Sequence, residues 1–144
     1  MSECVFCKII AGEIPGHFVL RERHCCAFLD IQPINRGHLL VVPRNHAAAL
    51  ADLTPADGAA LFQTAQRLAA ALRESGLPCE GVNLWLADGA AAGQEIAHVH
   101  LHVVPRHAGD GFGFRFGPDH GEQPEAELLS RTAARISAKL ESAV

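Results

Sequence analysis

Three histidines recur at every second position in His98-Val99-His100-Leu101-His102-Val103, and this alternation restricts the fold more than any other feature of the chain. Period two is the period of a strand: His98, His100 and His102 are expected on one face, with Val99, Leu101 and Val103 on the other. The apolar face requires a core. The imidazole face requires a hydrogen-bond partner or a metal for each ring, because a buried polar group left unpaired costs about 1–3 kcal/mol. The pattern predicts a sheet with packing on one side and a polar site on the other.

The rest of the chain supplies the sheet. Residues 4–11 place Val5, Phe6, Ile9 and Ile10 at helical spacing before Gly12, which predicts a short N-terminal helix. Residues 17–21 and 24–31 read as a hairpin joined through Glu22-Arg23, and the apolar run Gly37–Pro43 as a buried strand. Thr54-Pro55-Ala56-Asp57 has the form of a helix start, and Leu61, Phe62, Ala65, Leu68, Ala69 and Leu72 carry the helical period toward a stop at Gly76. Gly81–Leu86 is expected as a strand with residues 97–104 as its partner. Residues 105–123 are expected as a loop, and 124–142 as an amphipathic helix using Leu128, Leu129, Ala133, Ile136 and Leu140. Hairpins outnumber single strand–helix alternations, so the expected class is α+β. It comprises an antiparallel sheet of about five strands, a long central helix, a short N-terminal helix and a C-terminal helix. One domain over 1–144 is expected, with its core in about 4–107 and a loop and helix in 108–144.

A net charge of −4 leaves no broad basic footprint for a nucleic acid polymer, so an anionic ligand must be held by local groups, which favours a small phosphate-bearing molecule. No run is apolar and long enough for a membrane span, and Met1-Ser2-Glu3-Cys4 lacks a signal-peptide pattern; a cytoplasmic protein without membrane association is expected. Five cysteines form an odd set, so a disulfide frame is not expected; Cys25, Cys26 and Cys79 receive only a structural reading.

Upstream of the histidines, Gly89-Ala90-Ala91-Ala92-Gly93-Gln94-Glu95 is a loop of small residues whose amides could approach an anion. A phosphate between this loop and the histidines would meet donors and a potential nucleophile together, since imidazole is nucleophilic near neutral pH. Three imidazoles also suit a metal with an open position, or a solvated polar face. Spacing alone leaves these three readings open.

Ala97-His98-Val99-His100-Leu101-His102-Val103-Val104, with Ala92-Gly93-Gln94 before it, resembles the signature of the histidine-triad family. Cys4–Pro15 and Gly37–Pro43 resemble the family's other hallmark stretches, and the similarity runs in order over roughly residues 4–107. The chain most resembles the branch of nucleoside phosphoramidate hydrolases and their bacterial relatives. The resemblance implies a nucleotide-binding hydrolase or transferase acting at the α-phosphate of adenosine (purine) nucleoside phosphoramidates or acyl-adenylates. Diadenosine polyphosphate hydrolysis and a nucleotide-binding module with little turnover are the alternatives. It implies His100 as nucleophile, the His98 carbonyl as the group that fixes its tautomer, and His102 and His38 as donors to the non-bridging oxygens. Amides near Gly93 and Glu95 would add donors, and Gln94 would meet the leaving group. The nucleoside pocket maps to Phe6, Ile9, Phe28, Asp30, Ile31 and Leu40, with the Asp30 carboxylate accepting from the ribose or, equally, making a turn before Pro33. The chain departs from the family where Ala87 stands in place of Asn, which could move a polar contact to Asp88. At Glu95, where eukaryotic members often carry Ser or Thr, only the backbone amide is carried over.

Cys4 and Cys7 offer two thiolates at a spacing zinc sites favour, with His46 and His98 as the remaining candidates. Several bacterial members and the related uridylyltransferases look similar. Four protein ligands would make the zinc structural, with no catalytic metal required. Thiols packed without metal, or a redox pair, are the other readings of this C-x-x-C. The family's usual two-fold dimer is expected, with helix 55–75 and strand Gly81–Leu86 as surfaces for self-association.

Overall fold

The computed structural model describes residues 3–141. It divides into two compact units, Met1–Phe112 and Gly113–Val144. In the first unit the elements are α1 (Val5–Ala11), β1 (Phe18–Arg21), β2 (Cys25–Leu29), β3 (Leu39–Pro43), α2 (Pro55–Glu74), β4 (Gly81–Trp85) and β5 (Leu101–Arg106). The five strands form one sheet in the order β1-β2-β3-β5-β4, with every neighbouring pair antiparallel. This is the expected α+β architecture.

Each face of the sheet has its own apolar layer. On one side, Cys25, Ala27, Leu39, Val41, Val99, Leu101 and Val103 pack against Leu61, Ala65, Leu68 and Leu72 of α2. On the other, Cys26, Phe28, Leu40 and Val42 pack against Phe6 and Ile9 of α1. Strands β2 and β3 are therefore covered on both faces and read as apolar runs without alternation. Helix α2 begins as its residues dictate: Thr54 Oγ1 accepts from the Asp57 amide at 3.1 Å, Pro55 occupies the first turn, and Gly76 follows the end at φ +81°. Phe62 does not join the core. It is 56% exposed, and Thr64 takes the buried position instead, 3.3 Å from the Cys25 thiol.

Strand β5 differs from its expected span of 97–104. It starts at Leu101, because β3 ends at Pro43, which has no N–H to continue the ladder. Residues 98–100 are held otherwise, with the Val99 amide donating to the Ala47 carbonyl at 2.7 Å. The strand continues to Arg106, where a loop was expected at 105, since Gly81 and Val82 of β4 pair with Arg106 and Pro105.

The second unit contains α3 (Ala126–Glu141), where Leu128, Leu129, Ile136 and Leu140 are exposed and Arg131 pairs with Glu127 at 2.6 Å. Residue 142, the expected end of this helix, lies outside the described residues. No helix among the described residues is long and apolar enough to cross a membrane.

Candidate active site and metal centre

Although only His102 belongs to the hydrogen-bonded strand, the three imidazoles share one face. The His100 and His102 rings lie 5.0 Å apart, and Phe6 sets its ring edge-on to His98 and His100 at 5.8 and 5.1 Å. His98 and His100 are buried and His102 is half-buried. Burial first, then the neighbouring histidines, pushes His102 down to about 4; burial also lowers His38 and His98. These three rings are neutral at neutral pH.

For neutral rings, hydrogen-bond polarity fixes each tautomer. A carbonyl oxygen can only accept, so His100 Nδ1–H donates to the His98 carbonyl at 2.7 Å, which in the neutral ring places the lone pair on Nε2. His98 Nε2–H donates to the Pro43 carbonyl at 2.9 Å, which leaves its Nδ1 lone pair facing the Cys4 and Cys7 sulfurs at 3.4 and 3.6 Å. The Ile34 amide donates to His38 Nδ1 at 3.0 Å, so His38 carries its proton on Nε2 and gives it to His102 Nδ1 at 2.8 Å. His102 is then protonated on Nε2. The same side chain thus stands in three hydrogen-bonding states: His100 with Nδ1 engaged, His98 with Nδ1 turned to the sulfurs, and His102 with its proton on Nε2.

His38, expected as a donor to a phosphate oxygen, has both its nitrogens engaged and stands behind His102. Asp30, His38 and His102 bring three potential ligand atoms within 4.8 Å of one another. A metal there is disfavoured, because the Ile34 amide forces a proton onto the His38 nitrogen that would have to bind it.

Asp30 performs its turn role, with Oδ1 accepting from the Gln32 amide at 2.8 Å, while Oδ2 stays 3.7 Å from His38 Nε2. Phe6, Phe28 and Leu40 are buried and form an apolar floor with the partly buried Ile9; Ile31 stands 85% exposed. The loop before the triad uses its polar groups internally. The Gly93 amide donates to the Ala90 carbonyl, Gln94 Oε1 accepts from the Gly89 amide, and Gln94 Nε2 donates to the Ala48 and Ile96 carbonyls. Gln94 thus braces the loop, and the Gly93 amide is engaged within it. Asp88 likewise accepts from the Leu50 amide at 2.9 Å, so it does not stand in for an Asn side chain at position 87, where Ala87 is buried. Exposed Glu95 takes part in none of these loop bonds.

The metal-ligating set assembles as expected. The Cys4 and Cys7 sulfurs and a ring nitrogen from each of His46 and His98 lie within 4.8 Å of one another, with Cys7 Sγ 3.4 Å from His46 Nδ1. The donors suit zinc: two soft sulfurs, two imidazoles and, among the described residues, no fifth protein ligand in the cluster. Burial and the adjacent Cys4 push the Cys7 thiol up, so the thiolate form needs a cation nearby. The Pro43 carbonyl accepts from the far nitrogen of the His98 ring, the orienting bond that metal-ligating histidines normally make.

One cluster beside the site was not foreseen from the sequence. Arg106 donates from Nε and Nη2 to the two Asp110 oxygens at 2.6 and 2.9 Å, from Nη1 to Asn83 Oδ1 at 2.7 Å, and from Nη2 to the Phe112 carbonyl at 2.6 Å. Asn35 Nδ2 donates to Asp110 Oδ2 at 2.8 Å. The available signal was Arg106 and Asp110 four apart across Gly109, in a segment expected only as loop.

A HIT domain match spans residues 11–109. The adenosine 5'-monophosphoramidase of Saccharomyces cerevisiae is 38% identical over 73% of this chain and 63% of its own length. Among solved structures, a HIT family protein from Bacillus subtilis superposes with a TM-score of 0.86 at 34% identity, covering 94% of this chain and 96% of that one. A zinc-bound histidine triad family protein from Mycobacterium smegmatis does so with 0.75 at 40% identity, covering 99% of both. With its sheet, its three rings and these matches in agreement, the chain belongs to the HIT family.

Proposed function

We propose that this protein is a nucleotide-binding hydrolase or transferase of the phosphoramidase-like branch, cleaving purine nucleoside phosphoramidates or acyl-adenylates at the α-phosphate. One observation carries the reading: the 2.7 Å bond from His100 Nδ1–H to the His98 carbonyl, which in the neutral ring places the lone pair on Nε2. The Nε2 lone pair forms a bond to phosphorus and the bond to the leaving nitrogen breaks. Its electron pair passes to that nitrogen, which takes a proton from water and departs. The ring is then a cation, stabilised by the carbonyl at Nδ1. Water attacks the nucleotidyl-histidine, the pair returns to Nε2, and the proton released replaces the one consumed.

His102 Nε2–H donates to a non-bridging oxygen; such preorganised donors are worth about a hundredfold or more in rate. The apolar floor of Phe6, Ile9, Phe28 and Leu40, together with the exposed Ile31, receives the nucleoside, and Asp30 Oδ2 accepts from the sugar. The test is a mass measurement after brief mixing with an adenosine phosphoramidate. A gain of one nucleoside monophosphate on the wild type, absent in His100→Ala, is expected. Equal hydrolysis by both proteins ends the assignment, and transfer only from a diadenosine polyphosphate redirects it.

A zinc ion held by Cys4, Cys7, His46 and His98 would tie α1 to the segment before β5 and fix His98, whose carbonyl orients the nucleophile. The zinc-bound relative from Mycobacterium smegmatis supports this reading. Elemental analysis of protein purified without chelator is expected to find one zinc per chain, lost in Cys4→Ser; a trace amount in the wild type removes the claim. The open edge of β4 and the exposed Phe62 of α2 support a two-fold dimer, which light scattering tests.

A further inference from the structure

A single row of side chains crosses the site face of the sheet. Phe18 pairs with Phe28, Phe28 with Leu40, Leu40 with His102, and His102 with Trp85. Residues directly opposite in antiparallel strands share a face. His102 therefore divides two apolar surfaces: the floor under α1, and an aromatic end made by Trp85. The Trp85 ring centroid lies 6.2 Å from that of His102 and 6.3 Å from that of Phe112. Trp85 is 41% exposed.

This aromatic end is built firmly. Phe112 is held on both sides, its amide donating to Asp110 Oδ1 at 3.1 Å and its carbonyl accepting from Arg106 Nη2 at 2.6 Å. The Arg106 guanidinium also lies 4.7 Å from the Phe112 ring centroid. Its Nη1 reaches Asn83, two residues before Trp85 on the same face of β4. Asp110 is fully accepted into this arrangement, its side chain only 4% exposed and its carboxyl held well below the usual range by Arg106. Two rings are thus braced side by side next to the donor histidine.

A phosphorus atom at His100 carries two organic arms. With the nucleoside on the floor on one side of His102, the aromatic end on its other side is open to the second arm. We propose that Trp85 and Phe112 form a leaving-group subsite that receives a flat aromatic group, narrowing the preferred substrates to phosphoramidates of aromatic-bearing amines. The inference rests on the proposed function for its chemistry, and on the ring geometry for its place.

The test compares adenosine phosphoramidates of 2-phenylethylamine and of n-propylamine on wild type, Trp85→Ala and Trp85→Phe. The ratio of kcat/KM, aromatic over aliphatic, is expected to favour the aromatic amine in the wild type. It should fall roughly three- to tenfold in Trp85→Ala, as aromatic pairing energies imply, and recover in Trp85→Phe. An unchanged ratio, including an equal loss on both compounds, overturns the subsite. Trp85 is the only tryptophan in the chain, so its fluorescence in the wild type gives a readout free of turnover. If neither compound is hydrolysed, the proposed function fails, while tighter, quenching binding of the phenyl compound still supports the subsite and equal binding of the two still overturns it.

Discussion

Acidification should reveal the buried, neutral state of His102 as a loss of stability. Its folded pKa is about 4 because burial and the adjacent His100 and His38 oppose a charge there, against about 6.5 in an unfolded chain. The unfolded state therefore takes up a proton as pH falls below 6.5, and the folded state does not until about 4. Stability present above 6.5 is lost across that window. Applying linkage between pH 7 and pH 5 gives an upper figure of about 2 kcal/mol from this ring alone, which solvent screening of a half-buried group reduces. Other groups contribute to the pH dependence as well, so the assay is a double difference: urea unfolding of wild type and His102→Asn at both pH values. Asn can offer Oδ1 near the place of Nδ1 and so keep an acceptor for the His38 Nε2–H. The wild type is expected to lose up to about 2 kcal/mol more than the variant. Equal losses in the two proteins would refute the account of a neutral, desolvated ring.

Two further outcomes follow from the packing. Gly37→Ala should destabilise by roughly 1–3 kcal/mol in thermal unfolding, because φ is +97° and an added Cβ would lie 2.9 Å from Leu77 Cδ1 and 3.3 Å from Leu72 Cδ2. Asp57→Asn should lose about 1.5–3 kcal/mol at pH 7 in urea unfolding, since the carboxylate accepts from His24 at 2.9 Å and from Asn45 at 3.3 Å. His24 holds the Asp57 pKa below its ordinary value, so this difference is present above about pH 4 and should shrink as pH falls through the folded value.

The elements are legible in the sequence because their signals are local. Thr54, Pro55 and the Leu61–Leu72 period announce α2, and the histidine alternation states which residues share a face. What the sequence leaves out depends on partners distant in sequence. Nothing around residue 97 announces that β3 stops at a proline opposite Val99, so the alternation alone makes the strand too long. His38 looks from its own segment like a free donor; only its bond to His102, 64 residues away, puts it behind the site. Gln94 and Asp88 have the right chemistry for a ligand, but backbone groups at Ala48 and Leu50 claim them. Trp85 gains meaning only when β4 is aligned with β5, a register that hydrophobic patterning does not specify to the residue.

The repeated imidazole has a consequence for how this segment can change. Since each ring's character comes from the oxygen, amide or sulfur it happens to meet, shifting the segment by two residues would preserve the written motif and destroy its working order. The residue now beside the thiols would lie where His100 stands, its lone pair turned to another side. Redesign of this region must therefore conserve surroundings before letters.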